Sequence, residues 1–166
     1  MRTPSTHPRP AGGRTPARVR ALALTCRPAP PLAAPPRRPP LRSNSNTQHT
    51  NDGSKMQAAY ESLFQQYGVS VVVAGHVHAY ERSCPVFKGK CVADGEAARY
   101  FTSGDGGASL YTKWIAQPEW SEVRLAQWGH GEITLHNATW ATWNWVRNAD
   151  NEPDAYDSVD IKNVGL

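Results

Sequence analysis

The stretch VVVAGHVHAYERS, Val71 to Ser83, changes character at its fifth residue. Before it, Val69-Ser-Val-Val-Val-Ala74 is almost continuously apolar, the pattern of a strand covered on both faces. Before that strand, SKMQAAYESLFQQYG places apolar residues at Met56, Ala59, Tyr60, Leu63, Phe64 and Tyr67, a helical stripe that predicts a helix over 54–67 with its aromatic face in the core. Ser54 and Gln57 fit a capping box and Gly68 fits the C-terminal cap. Helix, glycine and buried strand make an α/β unit, with Val71–Ala74 expected as a central strand. Gly75 is expected to bend the chain there. His76 and His78 then project from a strand end, where ligands of open α/β sheets gather. Neutral imidazoles two residues apart suit zinc, iron and similar metals, although such pairs are also common on ordinary surfaces.

Downstream the period changes from helical to alternating. Arg99–Ser103 is short and aromatic. Val123–Trp128 and Glu132–His136 alternate, with Gly129-His130-Gly131 read as their connection. Ala138–Arg147 alternates again, with Trp143 and Trp145 on one face and Trp140 on the other, and Ser158–Lys162 adds a last short strand. Turn residues punctuate these runs, so this part predicts antiparallel β-structure. The fold class expected is α/β (α+β), and no internal repeat is visible.

Charge divides the chain. Residues 1–42 hold eleven of the fourteen prolines, nine arginines and no acidic residue. They carry +9, which leaves −5 on the other 124 residues and +4 overall. The basic pI therefore describes a Pro/Arg-rich tail, expected to be disordered. The remainder, 43–166, is mildly acidic, which argues against specific nucleic-acid binding. Three readings of the tail stand side by side: a linker or transit peptide, a basic arm for anionic partners, or sequence outside the domain from an imprecise gene prediction. ALALT is short for a secretory signal, and no run is long enough to span a bilayer.

Cys84 and Cys91 frame PVFKGK, which reads as a tight loop; they are a local disulfide in an oxidising compartment or two free thiols in a reducing one. Asn137-Ala138-Thr139 is a glycosylation sequon between two expected strands. Together the two features favour secretion.

GHVHAYERS resembles the last metal-binding motif of the purple acid phosphatases, in the calcineurin-like metallophosphoesterase superfamily. SNSNTQHT (Ser43–Thr50), RYFTSGDGG (Arg99–Gly107), QPEWSEVRLAQWGHGEITLHNAT and TWNWVRNAD resemble the same family in the same order. The resemblance covers about residue 43 onward. It implies the C-terminal part of an αββα sandwich, and an Fe(III) paired with a divalent Zn, Mn or Fe that together hydrolyse phosphate monoesters at acid pH. It implies His76 as ligand of the divalent metal, His78 as ligand of the iron and His49 as a pocket histidine that contacts phosphate. Gln48 stands where many relatives have a second histidine. Gly75, Tyr80 and Glu81 would shape the loop or support the ligands. It further implies a secreted or vacuolar protein.

The family's earlier Gly-Asp, Asp-with-Tyr and Gly-Asn-His-Glu motifs have no counterpart before the histidines, and Pro39 stands where a separate histidine is expected. Gly104-Asp105-Gly106-Gly107 comes too late in the chain to replace them, and reads as a structural turn at the pocket rim. The expectation is a truncated phosphatase that binds metal weakly and lacks useful activity. The alternatives are a non-catalytic remnant of the fold with a binding or regulatory role, and a basic-tailed anion-binding protein.

Overall fold

The computed structural model describes residues 43–45, 47–149 and 156–165, with backbone alone for 47–52. The tail expected over 1–42 lies outside the described residues. Among the described residues one helix and two sheets stack as three layers, which fits the α/β (α+β) expectation.

Helix α1 runs Thr47–Gln66. It begins seven residues before the expected start, so Ser54 lies inside the helix and not at its N-cap. Its C-terminus closes as expected: Gly68 has φ +61°, its N–H donates to Gln65 O, and Val69 N–H donates to Phe64 O. The aromatic stripe is only partly core. Phe64 is buried and faces Tyr100 at 6.5 Å, while Leu63 and Tyr67 are exposed. The buried face also carries Gln57 and Glu61, whose Oε1 accepts from Lys88 N–H at 2.8 Å.

The first sheet contains β1 (Val71–Ala74), β2 (Tyr80–Phe87), β3 (Lys90–Cys91), β4 (Arg99–Ser103) and β5 (Ser121–Leu125). Strand β1 pairs in parallel with β4, and β4, β5 and β3 all pair antiparallel to β2. The central strand is therefore β2. Strand β1 lies at the edge of this sheet among the described residues, and Val73 and Ala74 are exposed. This corrects the expectation of a central strand covered on both faces. Strands β2 and β3 turn at Lys88 and Gly89, both at positive φ, the geometry of a tight two-residue hairpin. A disulfide joins Cys84 to Cys91 across that hairpin.

The second sheet is β6 (Gly129–Leu135), β7 (Trp140–Arg147) and β8 (Asp157–Lys162), antiparallel throughout. Gly129-His130-Gly131 belongs to β6 and is not a connection. The reason is ring size. A Cβ on Gly129 would fall 2.1 Å from the Trp145 indole, and one on Gly131 would fall 2.0 Å from that of Trp143. The glycines are the floor on which the two indoles lie.

Val71, Tyr80 and Phe101 of the first sheet meet Trp143, Trp145 and Ile161 of the second in one core. Tyr80 stacks on Trp145 at 5.1 Å and Phe101 packs on Trp143 at 4.3 Å. A smaller cluster of Cys84, Val86 and Trp120, with Tyr100 beside it, also packs within the first sheet.

Candidate metal-ligand loop

The histidine loop joins β1 to β2. Burial alternates along it: His76 is exposed, Val77 is 3% exposed, His78 is half-buried and Ala79 is fully buried. The intervening residues of H-x-H-x are thus anchors, and the histidines are what the loop presents. Ala79 N–H donates to Val77 O at 2.9 Å, a three-residue turn centred on His78.

The segment after β4 braces this loop through its backbone. A Cβ on Gly104 would fall 2.2 Å from Val77 O and 2.4 Å from Gly75 O, so only glycine allows this approach. Gly75 itself has no such need: a Cβ there would make an ordinary 3.4 Å contact with Ser103 O, and its φ is not left-handed. The close approach in this loop is made at Gly104.

His78 is held on two sides. Its Nδ1 lies 2.9 Å from Ser109 O, and because a carbonyl only accepts, Nδ1 carries the proton. In the neutral ring Nε2 then keeps its lone pair, the arrangement a metal-binding imidazole requires. The ring stacks on Tyr111 at 4.6 Å and 10°, and Tyr111 N–H donates to His78 O at 2.8 Å. Ser109 and Tyr111 were not singled out from the sequence. Their signal was the glycine-rich run before them, which marks a close approach but not its target.

The side-chain hydrogen bonds of Tyr80 and Glu81 run to partners outside the histidine loop. Tyr80 is fully buried between the sheets, donates to Asp157 Oδ2 at 2.6 Å and accepts from Trp143 Nε1 at 3.0 Å. Burial, then Asp157, pushes its phenol far above the ordinary tyrosine range. Glu81 is 3% exposed and its carboxylate accepts from Ser43 N–H (2.8 Å), Ser43 Oγ (2.5 Å) and Ser121 Oγ (2.7 Å). It ties residues 43–45 to the sheet, where Asn44 bridges Trp114. His49 falls in the first turn of α1, where only the backbone is described. Asn137 is exposed in the β6–β7 turn.

Asp105 has a packing role. It is fully buried and accepts from Trp145 Nε1 at 2.7 Å and Ser103 Oγ at 3.0 Å. Burial raises its carboxyl above the usual range, and these donors offset that only in part.

The donor chemistry of His76 and His78 fits two ligands of an iron or zinc centre. Among the described residues no group of three or more His, Cys, Asp or Glu is placed to hold a metal ion. Two imidazoles do not fill the coordination shell of such a metal.

Comparison with known proteins follows the same division. The family model for the iron/zinc purple acid phosphatase-like protein C matches residues 97–158. Purple acid phosphatase 18 of Arabidopsis thaliana is 44% identical over 119 residues, covering 70% of this chain and 27% of its own length. The Fe(3+)-Zn(2+) purple acid phosphatase 12 of the same plant is 40% identical over 132 residues, covering 72% and 28%. The phosphoenolpyruvate phosphatase of Allium cepa is 37% identical over 134 residues, covering 72% and 27%. A purple acid phosphatase isolated from yellow lupin (Lupinus luteus) seeds superimposes with TM-score 0.61 at 25% identity, covering 75% of this chain and 24% of its own. The chain spans 27–28% of the length of these curated relatives.

Proposed function

We propose, from the premise that this chain corresponds to the C-terminal portion of the purple acid phosphatases, that it supplies two ligands to the metal centre of a phosphate-monoester hydrolase and does not complete that centre alone. His76 is the ligand of the divalent metal and His78 the ligand of the iron. His49 contacts the substrate phosphate or protonates the departing alkoxide. When bound, an Fe(III) with a divalent Zn, Mn or Fe acidifies a water and neutralises charge on the phosphoryl oxygens. This chain's part is orientation: Ser109 fixes the tautomer of His78, Tyr111 holds the plane of its ring, and Gly104 sets the position of the loop.

The observation that carries this reading is the bond from His78 Nδ1 to Ser109 O, which leaves Nε2 as the donor atom. The disulfide accords with a secreted or vacuolar destination. Among the described residues no helix is long and apolar enough to cross a membrane.

Metal analysis and a phosphate-monoester assay on the purified chain test the proposal. The expected result is weak zinc binding that weakens further in His76→Ala and His78→Ala, is unchanged in His130→Ala, and is accompanied by negligible turnover. Stoichiometric iron with robust turnover sinks the claim of an incomplete centre. Zinc binding indifferent to both loop histidines sinks their assignment as ligands. A non-catalytic binding remnant is the second reading. It is favoured by the lack of a three-ligand group among the described residues.

A further inference from the structure

The geometry points to a binding site for a planar aromatic anion in the groove between segment 106–111, which follows β4, and residues 126–128 and 147–149. The groove encloses about 570 Å³, room for one substituted ring. Gly106 and Gly107 line it from the first segment, and Gln127, Trp128, Arg147 and Asn148 from the others. Hydrogen bonds pin these parts together. Trp128 Nε1–H donates to Ala108 O at 3.0 Å, and Gly129 N–H donates to Asp105 O at 3.2 Å. Asn148 N–H donates to Trp128 O at 2.9 Å, and His130 Nδ1 lies 3.0 Å from Asn148 Oδ1. The groove is thus built into the fold.

It is a second compartment beside the histidine loop, with segment 106–111 as the partition. Ala108 O faces Trp128, while Ser109 O faces His78 Nδ1. Leu110 lines the groove, while Tyr111 stacks on His78. Successive residues of the partition therefore serve the two sides in turn.

Three features of the lining select the ligand. Trp128 is 52% exposed although its N–H is bonded, so its indole is both fixed and accessible. Such a ring is a stacking surface for another flat ring. Gly106 and Gly107 add no side chain, and a Cβ on either would meet nothing within 4 Å, so a ring has room against their backbone. Arg147 is the single charged side chain among the described lining residues. Its Nη1 donates to Gln127 Oε1 at 3.5 Å and its guanidinium lies over the Tyr156 ring at 5.1 Å, which orients the fork. A guanidinium carries its N–H donors in one plane, the match for the paired oxygens of a carboxylate or phosphate. An aryl phosphate and an aryl carboxylate share this chemistry: a flat ring with an anionic oxygen group.

The test is titration of the full chain with phenyl phosphate, benzoate, cyclohexanecarboxylate and inorganic phosphate, followed by saturation-transfer NMR of the probes. Chelator keeps metal from the histidine loop, so the result is independent of the phosphatase reading. Phenyl phosphate or benzoate should bind about tenfold more tightly than the other two probes, and the better of the pair identifies the anion. Trp128→Ala and Arg147→Gln should each weaken that binding about tenfold. Gly107→Leu should abolish it by filling the groove. That variant should keep the parent melting temperature, because its Cβ is unopposed and φ there is not left-handed. Equal affinity for inorganic phosphate, or for the puckered acid, overturns the ligand class. No binding of either aryl probe, or binding indifferent to Trp128→Ala or Gly107→Leu, overturns the site.

Discussion

The sheet that carries the histidine loop buries charge, whereas the C-terminal sheet buries tryptophan. Strand β2 encloses Glu81, Arg82 and Ser83 at 8% exposure or less. Arg82 donates twice to Asp157 (2.8 and 3.0 Å) and also to Glu122, and Arg99 reaches Glu122, Asp94 and Ser83 O. Such bonds are directional and fix the register of β2 against β4, β5 and β8. The second sheet instead relies on shape, with two indoles lying over two glycines. The two means meet at the interface, where the Trp143 and Trp145 N–H groups are satisfied by Tyr80 and Asp105 of the first sheet. Polar atoms thus decide how the sheets align, and ring area supplies the burial that holds them together.

The contrast can be broken at its centre. Trp145→Ala empties a site of 0% exposure and removes the donor to Asp105. A loss of about 3–5 kcal/mol is expected by denaturant titration, and a loss no larger than that of a surface substitution would deny the indole its role. Asp157→Ala attacks the polar side. It strips both bonds from Arg82 Nε and Nη2 and the acceptor of Tyr80, and the same titration should show about 3 kcal/mol lost. The backbone contact at the loop is sharpened by a pair of variants. Gly104→Ala should cost about 1–3 kcal/mol. Gly106→Ala, where a Cβ meets nothing within 4 Å, should stay within about 0.5 kcal/mol of the parent. Equal melting temperatures for the two would remove the brace.

The smallest effect concerns pH. The Asp105 carboxyl is raised in the folded state by burial, so the folded chain holds that proton more tightly than the unfolded chain. The associated stability is fully present below the ordinary Asp range and is lost as pH rises through the raised value. Asp105→Asn keeps an oxygen for Trp145 and removes the desolvated charge. Parent stability should fall from acid to neutral pH, and the variant should lose that slope. Parallel curves for the two proteins would contradict the assignment.

Legibility divides along the same line as the sheets. The alternation of β7 was readable because Trp143, Trp145 and Ala141 share a face and all three are buried. The helix stop at Gly68 and strand β4 were readable for similar local reasons. Strand β2 was not, because YERSCPVF buries polar residues on both faces and shows no alternation; only its distant partners make that burial tolerable. The polar partners of Tyr80 and Glu81 lie on distant elements for the same reason. Gly129 and Gly131 looked like a turn because the indoles that need them lie more than ten residues on. In the candidate site the two histidines were legible from spacing. The bracing by Gly104, Ser109 and Tyr111 was not, since Gly104 acts by lacking a Cβ and Ser109 by its carbonyl, and neither shows which loop it meets.

Glu81 accepts one backbone N–H and two hydroxyls, and the N–H belongs to Ser43. A chain opened by cleavage just before Ser43 would replace that N–H with a terminal ammonium, already seated against a buried carboxylate. The new end would be a cation placed where its counter-ion waits.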